Sequence, residues 1–277
     1  MPQQSNDRKI ASNYERDGLL EKIGHALQAL GRAPDDVDLH VLGAVDEFHV
    51  GGRSATEKIV KKLQASSQHR VLDIGCGLGG PARFISNATG CQVDGVDLTA
   101  SYIDAGNRLS DWVGMRDTVT LIHGSALELP FDDEIFDAAY MIHVGMNIED
   151  KLTLMKQALR VLKPGGRFVI YDVMLPKPAE VDYPLPWAEH ETSSFLQSPE
   201  GYVRTLAEAG FAPSKAEDLT DFAIAFFAQV AAGRSQGPSP LGLHLLLGDT
   251  ASQKLQNIAR QIHMRRLSPT LLIGHKS

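Results

Sequence analysis

Four glycines follow directly on a short apolar segment, and their spacing is the feature of this chain that most directly indicates chemistry. Residues 71–74, which are apolar apart from one aspartate, lead into Gly75, Gly77, Gly79 and Gly80. Glycine has no side chain, so the backbone at such positions can come close to a ligand. A strand that passes through close glycines into the start of a helix can therefore hold a nucleotide cofactor.

Two carboxylates accompany the glycines. Asp73 lies two residues before Gly75, where it can accept hydrogen bonds from a ligand ammonium group or orient the loop. Asp97 ends the next apolar segment, where a carboxylate can bind both hydroxyls of a ribose. The spacing fits the G-x-G-x-x-G pattern of dinucleotide enzymes and equally the D-x-G-x-G-x-G pattern of S-adenosylmethionine-dependent methyltransferases. The loop alone leaves a dehydrogenase, a methyltransferase and a plain packing turn open.

Apolar segments of strand length alternate with helical patterns from residue 70 onward. The alternation predicts an α/β fold, with a mostly parallel sheet covered by helices on both faces. The predicted strands are residues 70–75, 91–99, 118–124, 136–144, 166–173 and 270–276. The predicted helices between them are residues 81–87, 101–113 and 148–161.

Segments of different character flank the predicted sheet. Leu19, Ile23 and Leu27 lie on one helical stripe, and a second helix is expected at residues 54–63. Five prolines between residues 175 and 200 predict a stiff loop, because proline fixes φ and interrupts regular structure. The predicted parts are an N-terminal helical cap (1–68) and a core (69–277) that contains a lid loop (175–200) and a C-terminal helical insert (222–267) broken at 233–242.

Composition and charge exclude several classes of protein. The 277 residues are 43% hydrophobic and 22% charged, which excludes a disordered or collagen-like chain. A net charge of −7 disfavours binding to nucleic acid. No apolar run reaches the roughly 18 residues of an integral membrane span, and the polar first ten residues do not resemble a secretory signal. Cys76 and Cys91 stand outside metal-ligand spacings, so we expect no metal and a cytoplasmic location, and a homo-oligomer is left open.

A later segment separates the two cofactor interpretations. In residues 162–173 a helix ends at a Pro-Gly-Gly turn and leads into a strand. This arrangement is typical of class I methyltransferases and is not part of the nicotinamide-binding half of a dehydrogenase. The chain resembles, over nearly its whole length, the group of the sarcosine/dimethylglycine and phosphoethanolamine N-methyltransferases, and more distantly the tocopherol and sterol C-methyltransferases. This resemblance implies a Rossmann-like class I methyltransferase sandwich. The segments that carry it are DEFHVGGRSATEKI, VLDIGCGLGGPAR, VDGVDLT, HGSALELPF, HVGMNIEDK, RVLKPGG and YPLPWA.

The resemblance also implies where S-adenosylmethionine would bind, leaving S-adenosylhomocysteine as product. The glycine loop would pass the methionine part, Asp97 would hold the ribose and Leu98 would pack on the adenine. Phe48 and Gly52 belong to a segment that closes over the cofactor in relatives. Ser125 replaces an acid of the family, and its neutral hydroxyl is a weaker acceptor for the adenine amino group. The expected cofactor contacts are Asp73, Gly75, Gly77, Gly79, Asp97, Leu98, Ser125, Ala126, Leu127, His143, Phe48 and Gly52.

Three polar residues are the expected catalytic groups. His143 ends the fourth predicted strand, close to where the sulfonium would lie. Tyr14 matches the lid tyrosine of the phosphoethanolamine enzymes, and Asn147 stands where those enzymes have a catalytic histidine, so their dyad is not carried over intact. A histidine or tyrosine can take the proton of an acceptor directly or through water. His49 and Trp187 are expected to contact the acceptor.

The predicted function is transfer of a methyl group from S-adenosylmethionine to a small molecule, with an amine or amino-acid nitrogen as the first choice of acceptor. The alternative acceptor is the carbon of an isoprenoid or quinol-type molecule. In that case the helical insert should enclose a long apolar pocket without polar anchors. A protein that binds S-adenosylmethionine without catalysis is a third possibility, because Ser125 and Asn147 replace expected polar groups.

Overall fold

The computed structural model covers the predicted core and most of the predicted cap. The described residues are Tyr14, Arg16, 18–233 and 239–277. The first thirteen residues of the cap, Glu15, Asp17 and the part of the predicted break at 234–238 lie outside the described residues. The division of the chain at residue 68 stays a prediction.

An eight-stranded mixed sheet forms the centre of the described chain, in the order β3-β2-β1-β4-β5-β8-β6, with β7 paired to β8. Strands β1 to β5 are parallel to one another, and β8 runs antiparallel to its neighbour β5. The strand order reverses between β1 and β4, and ligands bind at such a switch point in open α/β sheets. The strands are β1 (Arg70–Ile74), β2 (Gln92–Asp97), β3 (Val119–His123), β4 (Phe136–Ile142), β5 (Leu162–Met174), β6 (Ala212–Pro213), β7 (Glu217–Asp218) and β8 (Ser268–His275).

Helices cover both faces of this sheet, as the alternation of patterns predicted. The central strands are buried on both sides, as continuous apolar strands of parallel sheets are; Leu72 of β1 and Val169 of β5 are inaccessible to solvent. The helices are α1 (Leu19–Ala29), α2 (Leu39–Asp46), α3 (Gly52–Leu63), α4 (Gly80–Thr89), α5 (Ala100–Trp112), α6 (Lys151–Val161), α7 (Pro199–Ala209), α8 (Thr220–Gly233), α9 (His244–Leu247) and α10 (Ala251–His263). The predicted α/β sandwich, with a mostly parallel sheet covered by helices, is confirmed.

Helix α2 and the short strands β6 and β7 were not predicted. Asp38 begins α2 by accepting hydrogen bonds from the backbone N–H groups of His40 (2.9 Å) and Val41 (2.8 Å). The helix has only eight residues, including Gly43, so its apolar periodicity is too short to recognise. The predicted turn at Pro-Gly-Gly is instead part of β5, whose pairing with β4 shifts register near Phe136.

A buried ion pair ties α2 to the core. The guanidinium of Arg83, on α4, is inaccessible to solvent and donates a hydrogen bond to Asp46 Oδ2 at 2.7 Å. The same guanidinium donates to the backbone oxygens of Leu78 (2.6 Å) and Gly106 (3.0 Å) and to Ser110 Oγ (3.0 Å). Arg83 therefore joins the predicted cap, the glycine loop and α5 through one side chain.

Candidate active site

A cavity of about 790 Å³ lies at the carboxyl ends of β1, β2 and β4. Ligand sites have volumes of roughly 300–1,000 Å³, so this one has room for two small molecules together. The predicted site residues that line it are Tyr14, Phe48, His49, Gly52, Asp73, Gly75, Gly77, Asp97, Leu98, Ser125, Ala126, Leu127, His143, Asn147 and Trp187. The structure therefore brings together residues from the first third of the chain, the sheet and the lid loop.

The glycine loop forms one wall of the cavity. Gly75 has a φ of 77°, and its backbone N–H donates to Val96 O at 2.7 Å. A Cβ at Gly75 would lie 2.3 Å from Val144 Cγ2, so a side chain is excluded there by packing. At Gly77, with a φ of 53°, a Cβ would meet nothing closer than Tyr102 Cδ2 at 4.0 Å, so its backbone faces open space.

Gly79 differs from the other predicted glycines of the loop in what surrounds it. It does not line the cavity in the described structure. A Cβ at this position would lie 2.7 Å from Leu121 Cδ1 and 3.1 Å from Arg83 Nη1, and the φ of 76° is itself left-handed. Gly79 is therefore required for the packing of the loop against β3 and α4, and its expected contact with a cofactor stays a prediction.

The two predicted carboxylates lie at the carboxyl ends of β1 and β2, where Asp73 is buried and Asp97 is half-buried. Asp73 is 2% exposed and accepts a hydrogen bond from the Tyr140 hydroxyl at 2.7 Å. Burial raises the pKa of Asp73 to about 8, against the opposing effect of that hydrogen bond. Asp97 accepts from the backbone N–H groups of Gly77 and Thr99, both at 2.9 Å. Burial raises the pKa of Asp97 as well, because both carboxylates lose their hydration.

The loop after β3 forms the edge of the cavity where adenine was expected. Ser125, Ala126 and Leu127 all line it, together with Leu98 after β2. Ser125 Oγ accepts a hydrogen bond from the backbone N–H of Leu127 at 3.3 Å. Ser125, which stands where the resemblance implies an acid, thus stabilises the conformation of its own loop.

His143 lies in a constrained conformation at the end of β4. Its φ of 55° is left-handed, a conformation that non-glycine residues adopt rarely and often at functional sites. The imidazole stacks on the Tyr171 ring, with centroids 5.0 Å apart. Nδ1 accepts a hydrogen bond from the backbone N–H of Val50 at 3.4 Å, so the neutral ring carries its proton on Nε2.

This tautomer changes the expected role of His143. Nε2 is buried and has no hydrogen-bond partner among the described residues. Burial holds the pKa of His143 well below its usual range, so the ring is neutral. A neutral ring whose only lone pair is engaged by Val50 can donate a hydrogen bond from Nε2 and cannot readily take a proton. The geometry thus disfavours His143 as the proton acceptor that the sequence suggested.

Tyr14 and Asn147 contact each other across the cavity. The Tyr14 hydroxyl donates to Asn147 Oδ1 at 3.0 Å, and Asn147 Nδ2 donates to Val144 O at 3.3 Å. Burial raises the pKa of Tyr14, so its hydroxyl stays protonated. The pair connects the start of the described chain to the loop after β4, which is consistent with the predicted lid contact and disfavours proton removal by Tyr14.

A buried polar cluster beside His49 was not predicted. Glu47 accepts hydrogen bonds from Arg53 Nε at 2.5 Å and from Thr56 Oγ1 at 2.6 Å. His49 Nε2 lies 3.0 Å from Gly52 O and 3.2 Å from Thr56 Oγ1. The signal in the sequence was the presence of an acid, a base and a hydroxyl in DEFHVGGRSAT, but only the turn between α2 and α3 makes them neighbours.

The opposite wall of the cavity is apolar. Trp187 is buried in the lid loop, and its indole N–H donates to Ser194 Oγ at 3.0 Å. The other apolar side chains of this wall come mostly from the helical insert. They are Met146, Phe226, Phe227, Leu243, Leu246, Leu255 and Ile258. None of these residues was predicted from the sequence to lie in the site.

Residues 72–170 match the family model described as a methyltransferase domain, which is just over a third of the chain. Residues 72–170 are thus similar in sequence to a methyltransferase domain. Class I methyltransferases take their methyl group from S-adenosylmethionine, the cofactor that the sequence predicted. Methyltransferase GfsG of Streptomyces halstedii is 31% identical over 48% of this chain and 48% of its own length. The 27-O-demethylrifamycin SV methyltransferase of Amycolatopsis mediterranei (strain S699) is 29% identical over 60% of this chain and 62% of its own.

The fold extends beyond the matched segments. Geranyl diphosphate C-methyltransferase from Streptomyces coelicolor A3(2) superimposes with a TM-score of 0.70 over 98% of both chains, at 20% identity. This likeness shows the fold. The two curated relatives are matched over about half to three fifths of their own length. The nitrogen-methyltransferase subgroup suggested by the sequence is not distinguished by these matches.

No group of three or more His, Cys, Asp or Glu side chains in the described chain is arranged to hold a metal ion. Within the same residues, no helix combines the length and apolar character needed to span a bilayer.

Proposed function

We propose that this protein transfers a methyl group from S-adenosylmethionine to an uncharged, largely apolar small molecule, at a carbon or oxygen atom. The observation that supports this proposal is the apolar part of the cavity lining, which comes mostly from the helical insert. A cavity half of this kind accommodates apolar acceptors, because burial of apolar surface stabilises the complex.

The cofactor half of the cavity fits S-adenosylmethionine. When bound, this cofactor supplies an electrophilic methyl group on a positively charged sulfur. Buried Asp73 and half-buried Asp97 are carboxylates at adjacent strand ends, which suits a ligand that carries an ammonium group and a ribose. The open backbone at Gly77 permits close approach. The apolar wall excludes water from the acceptor, which strengthens the remaining polar contacts.

Charge distinguishes between acceptor classes. Among the described residues that line the cavity, Arg53 is the one Lys or Arg side chain, and it is paired with Glu47 at 2.5 Å. An amino-acid carboxylate or a phosphate would therefore lack a free counter-charge. The arginines near the C-terminus do not supply one, because Arg260 and Arg266 pair with Asp182 outside the cavity. The pocket thus favours the isoprenoid or quinol-type alternative over an amino-acid nitrogen.

The name of one curated relative agrees with this direction. That relative acts on 27-O-demethylrifamycin SV, and its name describes no amine acceptor. An uncharged amine remains the second candidate, supported by the likeness of the DEFHVGGRSATEKI and YPLPWA segments to the nitrogen methyltransferases.

The test is release of S-adenosylhomocysteine with a panel of acceptors, with mass spectrometry of the products. The panel contains sarcosine, dimethylglycine and phosphoethanolamine as charged amines, and phenols, quinols, prenyl alcohols and sterols as apolar acceptors. We expect turnover with the apolar group alone. Turnover with sarcosine or phosphoethanolamine would contradict the proposed acceptor class, and tight cofactor binding without any turnover would favour the non-catalytic alternative.

A first prediction concerns Leu255, a half-buried cavity residue on α10. Leu255→Gln keeps good helix propensity but puts an amide where the acceptor should lie. We expect KM for an apolar acceptor to rise about tenfold, since burial of a leucine side chain contributes roughly 1.5–3 kcal/mol. Steady-state kinetics measures this, with Gln256→Leu on the exposed face of α10 as control. A change in S-adenosylmethionine affinity instead would place Leu255 in the cofactor half.

A second prediction uses the pKa of Asp73, which burial raises to about 8. If the ammonium group of the cofactor pairs with ionised Asp73, binding near neutral pH must release a proton. As the pH rises from about 6 to about 7.5, the dissociation constant for S-adenosylmethionine should then fall by up to about tenfold per pH unit. Calorimetry in two buffers of different ionisation enthalpy measures the released proton. Asp73→Asn should abolish the release, and equal binding enthalpies in both buffers would exclude this pairing.

A further inference from the structure

The tautomer of His49 follows from its neighbours. His49 Nε2 lies 3.0 Å from Gly52 O, 3.2 Å from Thr56 Oγ1 and 3.5 Å from Glu47 Oε2. The single hydroxyl proton of Thr56 is donated to Glu47 at 2.6 Å, so toward His49 the Thr56 oxygen can only accept. All three neighbours of Nε2 are therefore acceptors. The neutral ring must carry its proton on Nε2 and its lone pair on Nδ1.

The lone pair on His49 Nδ1 is free. In the described part of the chain, no donor reaches Nδ1, while the ring lines the cavity 6.1 Å from the His143 ring, centroid to centroid. His143 differs at this point, since its Nδ1 accepts from the backbone N–H of Val50. The two histidines share the same tautomer, but only His49 presents an unoccupied basic nitrogen.

Three other groups on the cavity that could act as a base already have hydrogen-bond partners. Glu47 uses one oxygen for Arg53 and the other for Thr56. Asp97 accepts one backbone N–H on each oxygen, from Gly77 and Thr99. Tyr14 donates its hydroxyl proton to Asn147 Oδ1.

Burial keeps His49 neutral at physiological pH. It lowers the pKa of His49 to about 4, with Arg53 acting in the same direction, while Asp46 and the hydrogen bond to Gly52 O act against it. The groups that face the ring are Asp46 and Glu47 from the end of α2, Arg53 and Thr56 from α3, and neutral His143 after β4. So weak a base is suited to an acidic hydroxyl rather than to an aliphatic alcohol.

We propose that the acceptor carries a phenol or enol hydroxyl, and that His49 Nδ1 takes its proton while the oxygen is methylated. This inference rests on the proposed function. The oxygen–methyl bond forms as the bond from methyl to sulfur breaks, the sulfur leaves as neutral S-adenosylhomocysteine, and the hydroxyl proton moves to Nδ1. Bulk water takes that proton after product release.

Thr56 and Glu47 act as positioning residues behind His49. The chain from His49 Nε2–H through the Thr56 hydroxyl to the Glu47 carboxylate orients the ring and stabilises the imidazolium that forms. Arg53 holds the other Glu47 oxygen in place. A fully bonded buried network of this kind specifies one geometry, which a catalytic base requires.

The experiment compares phenols of graded acidity: para-methoxyphenol, phenol and para-nitrophenol, the last already ionised near neutral pH. His49→Gln should lower kcat with the un-ionised phenols on the order of 10²–10⁴-fold, and should change kcat with para-nitrophenol by less than about threefold. His40→Gln, at an exposed histidine of α2, is the matched control. S-adenosylmethionine affinity and melting temperature are measured for each variant, because a merely structural role would lower all three rates together.

A second readout does not depend on turnover. Nitrogen-15 NMR of the ring nitrogens should show both histidines as Nε2–H tautomers, with the His49 signals assigned by their loss in His49→Gln. Addition of phenol should shift Nδ1 of His49. Thr56→Val should lower kcat with phenol, and Thr56→Ser should restore it, since serine retains the hydroxyl.

The outcomes separate this proposal from the one on which it rests. An equal loss with all phenols, an Nδ1–H tautomer of His49, or methylation at carbon alone would overturn the role of His49 and leave the methyltransferase assignment intact. Bound S-adenosylmethionine without methylation of any hydroxyl acceptor would also overturn it. Absence of S-adenosylmethionine binding would overturn the proposed function itself.

Discussion

Replacement of Arg83 by methionine is expected to lower the free energy of unfolding by about 3–5 kcal/mol. Arg83 is fully buried and pairs with Asp46, whose side chain is 2% exposed. Methionine would leave Asp46 as an uncompensated buried charge. Burial already raises the pKa of Asp46, and Arg83 is the main group that opposes this shift. The backbone oxygens of Leu78 and Gly106 would also lose donors.

Urea unfolding followed by circular dichroism measures this loss. The matched control is Arg70→Met, since Arg70 is 42% exposed in its pair with Asp94 and such half-exposed pairs contribute roughly 0–1 kcal/mol. The double variant Arg83→Met with Asp46→Leu should recover part of the stability, because it removes both charges. A loss for Arg83→Met no larger than that for Arg70→Met would contradict the assigned role.

Asp97→Ala should weaken S-adenosylmethionine binding by roughly 1–3 kcal/mol, which is about 5- to 150-fold in the dissociation constant. The physical reason is twofold. The variant removes the carboxylate expected to hold the ribose, and it leaves the backbone N–H groups of Gly77 and Thr99 without the acceptor that shapes the loop.

Isothermal titration calorimetry measures this affinity, and Asp117→Ala, at an exposed aspartate before β3, is the control. Asp97→Asn separates the two causes, because an amide keeps one acceptor for the loop but has no negative charge for the ribose hydroxyls. An unchanged affinity in Asp97→Ala would reject the cofactor role of this residue, whatever its effect on stability.

The local parts of the fold were predictable because their signals are local. Strands β1, β2 and β4 are apolar runs bounded by turn residues, and helix α7 runs from a Ser198 cap to Gly210. Helix α2 escaped prediction because eight residues give too little periodicity. Strands β6 and β7 have two residues each and exist through pairing with β8, so no pattern in their own sequence specifies them.

The acceptor half of the site was less predictable than the cofactor half. Phe226 and Phe227 belong to an apolar segment whose sequence favours a core or a subunit contact over a pocket for an apolar ligand. Only the packing of α8 and α10 beside the lid loop places their side chains on the cavity, opposite residues more than a hundred positions away. The same packing brings Trp187 into the wall.

The amino-acid sequence by itself determined the α/β fold, the cofactor loop and the two aspartates at the strand ends, because these depend on residues that are neighbours along the chain. The tertiary structure decided which groups can exchange protons. The Nδ1 of His143 is engaged by Val50, ninety-three positions away, and the ring of His49 is oriented by a turn that brings Thr56 back onto Glu47. Hydrogen-bond partners and burial set a histidine's tautomer and pKa, and both arise only when the chain has folded.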